Sequence, residues 1–288
     1  MNNSQLSKLT SPYGEWLEDT IEGKWVYHVT TPHLLLQAAG YLKHVNGKSG
    51  STSVFYRGQH CLYGGSLKPS LYRGISAVGT ANKKNTELNN YLKECAKQGK
   101  ILKHVPNYAW EPLLQHYGIR TRWIDLVDNV WVALWFACHT VHATGKRGEF
   151  FHFEQRRTSS SEFAYIVLVK TEYVPQNKQP GFYSGKSTEL IDLRIATPSF
   201  FLRPHAQHGL LARAKGVNNQ SVIDYKDMIA GVLRVNMYDA LKWLGDGHLL
   251  TTHVLFPPPV YDFGYCDLLE FAPLPEKKSL GAIHHVGA

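Results

Sequence analysis

Between Gln115 and Ala137 the chain sets its most polar chemistry directly against its most apolar stretch. Gln115-His116-Tyr117-Gly118 is followed by Thr121-Arg122 and Asp125, and then by the uninterrupted apolar run Val130 to Cys138. Continuous Ala and aromatic content marks a helix buried on all sides, expected over Trp131 to Val141. His, Arg and Asp carried into such surroundings cost several kcal/mol unless they pair or face a pocket. Arg122 and Asp125, three apart on an extended strand, point to opposite sides and are not automatically partners. Two arrangements satisfy the cluster. In one, Asp125 caps the helix that begins near Asn129 or holds an Arg from elsewhere; in the other, the cluster is the wall of a pocket.

A chain of 288 residues with 43% apolar and 12% aromatic content is long enough to bury a sizeable core. No period of 20 to 50 residues repeats, and the short run Thr158 to Ser161 is the one biased segment. These features predict one compact α+β domain, residues 49–288, with an extension over residues 1–48 packed on it. The longest apolar run is too short to span a bilayer, and the N-terminus has no basic segment leading into an apolar one, so a cytoplasmic protein is expected. Cys61, Cys95, Cys138 and Cys266 lie far apart and form no paired motif. The formal charge of +8 favours an anionic partner, although it is spread along the chain without a basic run.

The predicted elements run as follows. A short helix covers Tyr13 to Ile21 and a strand Lys24 to Thr30. An amphipathic helix follows Thr31, with Pro32 at its first position and Leu34, Leu35, Ala38 and Leu42 on one face; residues 44–52 read as a loop. A central strand, Ser53 to Gly58, ends in a tight turn. Helices are expected over Asn82 to His104 and from Trp110 to the closing Gly118, then a strand from Thr121 to Leu126. Ala164 to Val169 and Thr251 to Phe256 read as buried strands, and Met228 to Val235 as a strand before a helix, Met237 to Leu244, capped by Asn236.

Two further clusters carry chemistry. In Phe55-Tyr56-Arg57-Gly58-Gln59-His60, a planar Arg fork follows a core strand beside a glycine that lets a ligand approach the backbone, which suits a phosphate- or ribose-bearing ligand. The same Arg is equally able to clamp a carbonyl or Asp125. In Arg203-Pro204-His205-Ala206-Gln207-His208-Gly209, strand alternation sends His205, Gln207 and Gly209 to one face. No phosphate loop, nucleophile elbow or metal-ligand spacing occurs, so no metal site is expected.

In this order the clusters resemble the FRG domain family. The resemblance runs from Phe55-Tyr56-Arg57-Gly58-Gln59 through Leu67 to Arg73, Gln115 to Gly118, Thr121 to Asp125 and Ala133 to Ala137, and closes at Arg203 to Leu210. The family's motif order is similar to that of the ADP-ribosyltransferases, which implies a split β-sheet flanked by helices over residues 49–288. It further implies NAD as substrate and cofactor, with a protein or nucleic-acid acceptor, for a transferase, an NAD glycohydrolase or a toxin-like conflict factor. Arg57, Gln207, Asp125 and His116 fall at the implied catalytic positions. Tyr56, Gly58, Gln59, Thr121, Arg122 and Arg203 fall at the implied cofactor-binding ones. Gln207 stands where a transferase supplies Glu; it can hydrogen-bond a ribose but cannot offset a developing positive charge. Arg120 also stands where relatives often have Pro, and Leu126-Val127 where they have Trp-Thr. A non-catalytic module that senses a nucleotide or RNA end through the same pocket is the alternative.

Overall fold

A computed structural model describes residues 14–19, 24–98, 102–157, 162–216 and 221–287. Its centre is a mixed nine-stranded sheet in the order β1-β2-β11-β7-β3-β4-β10-β9-β8. The first five of these strands in spatial order are β1 (Gly14–Asp19), β2 (Lys24–Val29), β11 (Ile229–Asn236), β7 (Phe163–Glu172) and β3 (Thr52–Gln59). The other four are β4 (Ile124–Val127), β10 (Gly209–Ala214), β9 (Thr188–Asp192) and β8 (Phe182–Ser184). β3 pairs with β7 along its whole length, from Thr52 opposite Glu172 to Gln59 opposite Tyr165. Against β4 it makes a single pair, Tyr56 with Val127. The nine strands form one continuous sheet, with β3 and β4 joined at this seam by the single pair.

The period of two is explicit on the central strands. Val54 and Tyr56 of β3, with Ile166 and Leu168 of β7, pack under α1 (Pro32–Gly47), α4 (Val130–Cys138) and α7 (Met237–Trp243). Phe55, Val167 and Val169 pack on the opposite face with Leu190 and Leu210. A further apolar cluster joins α2 (Val78–Lys97), α3 (Asn107–His116) and α9 (Phe263–Phe271) to Ile191 and Leu211.

Local rules account for several boundaries. Leu34 N donates to Thr31 Oγ1 at 3.1 Å, and Pro32 sits where a helix needs no amide hydrogen. Asn129 and Asn236 cap α4 and α7 by accepting from Trp131 N and Tyr238 N, each at 2.9 Å. Asn129, not Asp125, is thus the cap of the buried helix.

Other expectations are corrected. The segment read as a helix over Tyr13 to Ile21 contains β1, whose register runs from Gly14 opposite Val29 to Asp19 opposite Lys24; pairing in a hairpin overrides local propensity. The second helix ends at Lys97, not His104, and α1 continues to Gly47 through the expected loop. The buried helix stops at Cys138, and the chain continues as β5 (His139–Thr144). β5 pairs with β6 (Phe150–Gln155) in a small sheet completed by β12 (His285–Val286). Thr251 to Phe256 is no strand: α8 (Thr252–Leu255) occupies it, with Thr251 as its cap. Arg203 to Gln207 is helical too, as α6 (Leu202–Ala206), and the chain reverses into β10 through His208 at φ +54°. The run Thr158 to Ser161 lies outside the described residues.

The described part of residues 1–48 adds β1 and β2 to the main sheet, with β2 parallel to β11, and packs α1 onto β3. None of the described helices is long and apolar enough to cross a membrane.

Candidate functional site

A cleft of about 370 Å³ opens on the seam between β3 and β4. Tyr56 to His60 come from β3 and its end, Asp125 to Val127 from β4, and Gln115 and His116 from the last turn of α3. α6 and its C-terminal residue contribute Arg203 and Gln207. An aromatic wall stands opposite these polar groups: Phe136 from α4, Phe151 and Phe153 from β6, Phe256 after α8, and His284 before β12. Its rings are packed together, with Phe153 on Phe256 at 4.6 Å between centroids and Phe151 on His284 at 3.6 Å.

Arg57 is held by the neighbouring strand. Its Nη1 donates to the Asp125 carbonyl at 2.8 Å and lies 3.8 Å from Asp125 Oδ2, while its Nε is buried without a hydrogen-bond partner. Burial, opposed by Asp125, lowers its pKa. Both sequence readings of this residue therefore hold: it clamps a carbonyl, and it lines the cleft. Asp125 is further fixed by Gln115 Nε2 at 3.0 Å, and Gln115 Oε1 accepts from Thr121 Oγ1. Thr121 is completely buried behind this chain of bonds and orients Gln115 without reaching the cleft. Arg122 is also placed elsewhere: its guanidinium is engaged by Glu111, with Nε donating to Oε1 at 2.9 Å, and faces a separate hollow. Neither of these two implied cofactor-binding residues lines the cleft, because β4 begins only at Ile124 and leaves 121–122 in the preceding connection.

Arg203 lies in the cleft wall as the resemblance implied, in an unexpected environment. Its side chain is 1% exposed and lies between the rings of Tyr117 and Tyr265, its guanidinium carbon 4.4 Å from each centroid. Nη1 donates to the His116 carbonyl at 3.3 Å, but Nε and Nη2 have no partner. The buried carboxylate of Asp262 bonds instead to Tyr117 Oη and to the amides of Arg203 and Tyr265. A buried guanidinium without a directly bonded anion is a large unpaid electrostatic debt unless a ligand supplies one. Gln207 is buried and donates to the Leu255 carbonyl at 2.8 Å, and so is pinned at the cleft wall through its amide nitrogen.

Gly58 lines the cleft on one side, but a Cβ there would meet Ala133 O at 1.8 Å. What approaches its backbone is α4, and the strand continues past it to Gln59 without the expected turn.

His116 and His284 are kept neutral. Burial, the larger cause, and the field of Arg203 push His116 down to about 4 against the pull of Asp125; burial with Arg203 and Arg120 pushes His284 down to about 3. Unfolded histidine titrates near 6.5, so the unfolded chain binds more protons below that pH and stability falls as pH drops. From full value above pH 6.5, each residue should remove about 2 kcal/mol by pH 5. The urea midpoint measured between pH 7 and 5 checks this, and a flat profile contradicts it.

The one sign of the aromatic wall in the sequence is the alternating Phe151-His152-Phe153, which by itself reads as a strand with a core face. Arg73, at the mouth of the cleft, also went unremarked as a site residue. Among the described residues no three His, Cys, Asp or Glu side chains gather as a metal site.

The geometry defines a class: a mixed α/β protein with a large helix-flanked sheet and a cationic, aromatic-walled cleft at the β3–β4 seam. Residues 52–146 match the family model of the FRG domain. That segment runs from β3 through β5 and includes Arg57, His116 and Asp125, whereas Arg203 and Gln207 lie beyond it. No curated protein and no solved structure matches the chain.

Proposed function

We propose that the cleft takes NAD as its substrate and breaks the nicotinamide–ribose bond, passing ADP-ribose to water or to a protein or nucleic-acid acceptor. The observation that carries this reading is the pair of arginines, Arg57 and Arg203, which line one cavity with an aromatic wall and each keep at least one buried guanidinium nitrogen without a partner. A dinucleotide matches that chemistry, since its pyrophosphate supplies the missing anion and its rings the stacking partner. Among the described residues, Asp125 is the single carboxylate lining the cleft. As the C–N bond breaks, its electron pair returns to the nicotinamide ring and positive charge develops on the ribose. Asp125 is placed to offset that charge and to accept the proton of the attacking nucleophile, while Gln207 and His116 offer neutral polar contacts.

One observation favours the alternative of a nucleotide sensor without turnover. Asp125 already accepts from Gln115 and lies beside Arg57, which weakens it as a stabiliser of new positive charge. NMR-detected release of nicotinamide from NAD, with and without cellular protein or RNA, separates the two. Asp125→Asn should keep NAD affinity within about threefold and slow release by about 100-fold or more. Saturable binding without release supports the sensor, and absence of binding sinks the NAD reading.

A further inference from the structure

We infer a second, phosphoryl-binding subsite beside the cleft, formed by Arg73, Arg120 and Lys84 with the hydroxyls of Ser70 and Ser279. These residues line a hollow of about 360 Å³ and come from four separated stretches of chain: the turn after β3, α2, the segment between α3 and β4, and the C-terminal 279 turn. Among the described residues no carboxylate lines it, although Glu87 beside it accepts from Lys84 Nζ at 3.0 Å and from Ser279 Oγ at 3.4 Å, and Lys84 also donates to Ser279 Oγ. The guanidinium groups of Arg73 and Arg120 have no ion pair or hydrogen bond among the described residues. Ser70 Oγ accepts from Thr121 N at 3.2 Å, which leaves its hydroxyl hydrogen to be donated. Arg120 is fixed at its base, with its amide bonded to Leu280 O at 2.8 Å and its Cγ against Gly281.

Two cations without partners, one lysine and a hydroxyl converging on a hollow suit a compact, doubly charged anion. Among the described residues no aromatic side chain lines the hollow, so it offers no platform for a base and suits the phosphoryl group itself. Arg73 lines both this hollow and the cleft, and the field of Arg120 reaches His284 on the aromatic wall. The subsite is thus continuous with the cleft, and the phosphoryl group it holds belongs either to the far end of the cleft's own ligand or to a separate molecule. Its existence does not depend on what fills the cleft.

Inorganic pyrophosphate titrated into the full chain at low salt, followed by calorimetry, provides the test. Two equivalents should bind. Arg120→Ala, at an exposed position, should weaken one of them tenfold or more and leave the other, and Arg203→Met should do the reverse. If Arg120→Ala changes neither equivalent, the subsite is overturned; if only Arg203→Met has no effect, the cleft reading fails and the subsite stands. The 2′-phosphorylated form of NAD then distinguishes the sources: displacement of both equivalents assigns the subsite to the distal phosphate of the cleft's ligand, and displacement of one assigns it to a separate molecule.

Discussion

Arg203→Met should abolish nucleotide binding while leaving the free protein as stable as before, or more so. The side chain is almost completely buried, makes one hydrogen bond of 3.3 Å, and holds two guanidinium nitrogens without partners between two tyrosine rings. Replacing such a group by an apolar chain of similar length removes a desolvated charge and keeps most of the ring contact. Exchanges of buried charge for apolar side chains are commonly neutral or stabilising by about 1–4 kcal/mol. Ligand binding moves the other way, because losing a buried charge-assisted contact to a phosphate costs about 2–5 kcal/mol, at least 30-fold in affinity. A third readout follows from the field of Arg203 on its neighbours. Without it, His116 and His284 should both titrate higher, which the pH dependence of their ring carbon–proton NMR signals reports. If binding is unchanged while stability falls by about 3–5 kcal/mol, the arginine is instead a clamp that satisfies the His116 carbonyl and nothing more.

How much of this arrangement the sequence carries depends on whether the deciding interaction is local. Thr31-Pro32 before α1 and Asn236 before α7 announce helix starts because the cap and its amide are two or three residues apart. The unbroken apolar run Ala164 to Val169 announces β7 because both sheet faces are apolar. Thr251 to Phe256 has the same β-branched look and yet turns as a helix, since Thr251 Oγ1 caps Val254 N and no sheet edge receives the segment. The polar half of the site was legible, with Arg57, Gln115, His116, Asp125, Arg203 and Gln207 standing out as costly groups inside apolar stretches. Of their partners, only the clamp of Arg57 on Asp125 was. That Asp125 meets Gln115 and not Arg122, and that Thr121 lies behind the wall, follows from where β4 starts. The aromatic wall gathers Phe136, Phe153, Phe256 and His284 from separate elements, and only the fold brings them together.

Gly58→Ala should unfold the protein, or cost more than about 4 kcal/mol, although it adds one methyl group. The glycine lies inside β3, where its missing side chain makes room for α4. A Cβ would fall 1.8 Å from Ala133 O, 2.8 Å from Ala137 N and 2.9 Å from Ala133 C. All three are backbone atoms of a helix whose residues Val132, Ala133, Leu134 and Trp135 are buried in the core, so no side-chain rotation relieves the clash and α4 must lift away from the sheet. Lifting it would also carry Phe136 out of the cleft wall, so any folded remnant should have lost the site as well. Gly40→Ala supplies the contrast within the same chain. Gly40 is an exposed position inside α1 with nothing within 4 Å of its would-be Cβ, and alanine there should stabilise by about 0.5–1 kcal/mol through helix propensity. Thermal and urea denaturation of the two variants beside the parent measure both effects. A Gly58→Ala protein that folds normally and only loses ligand affinity would show that the glycine admits a ligand to the strand, and that α4 does not need the space.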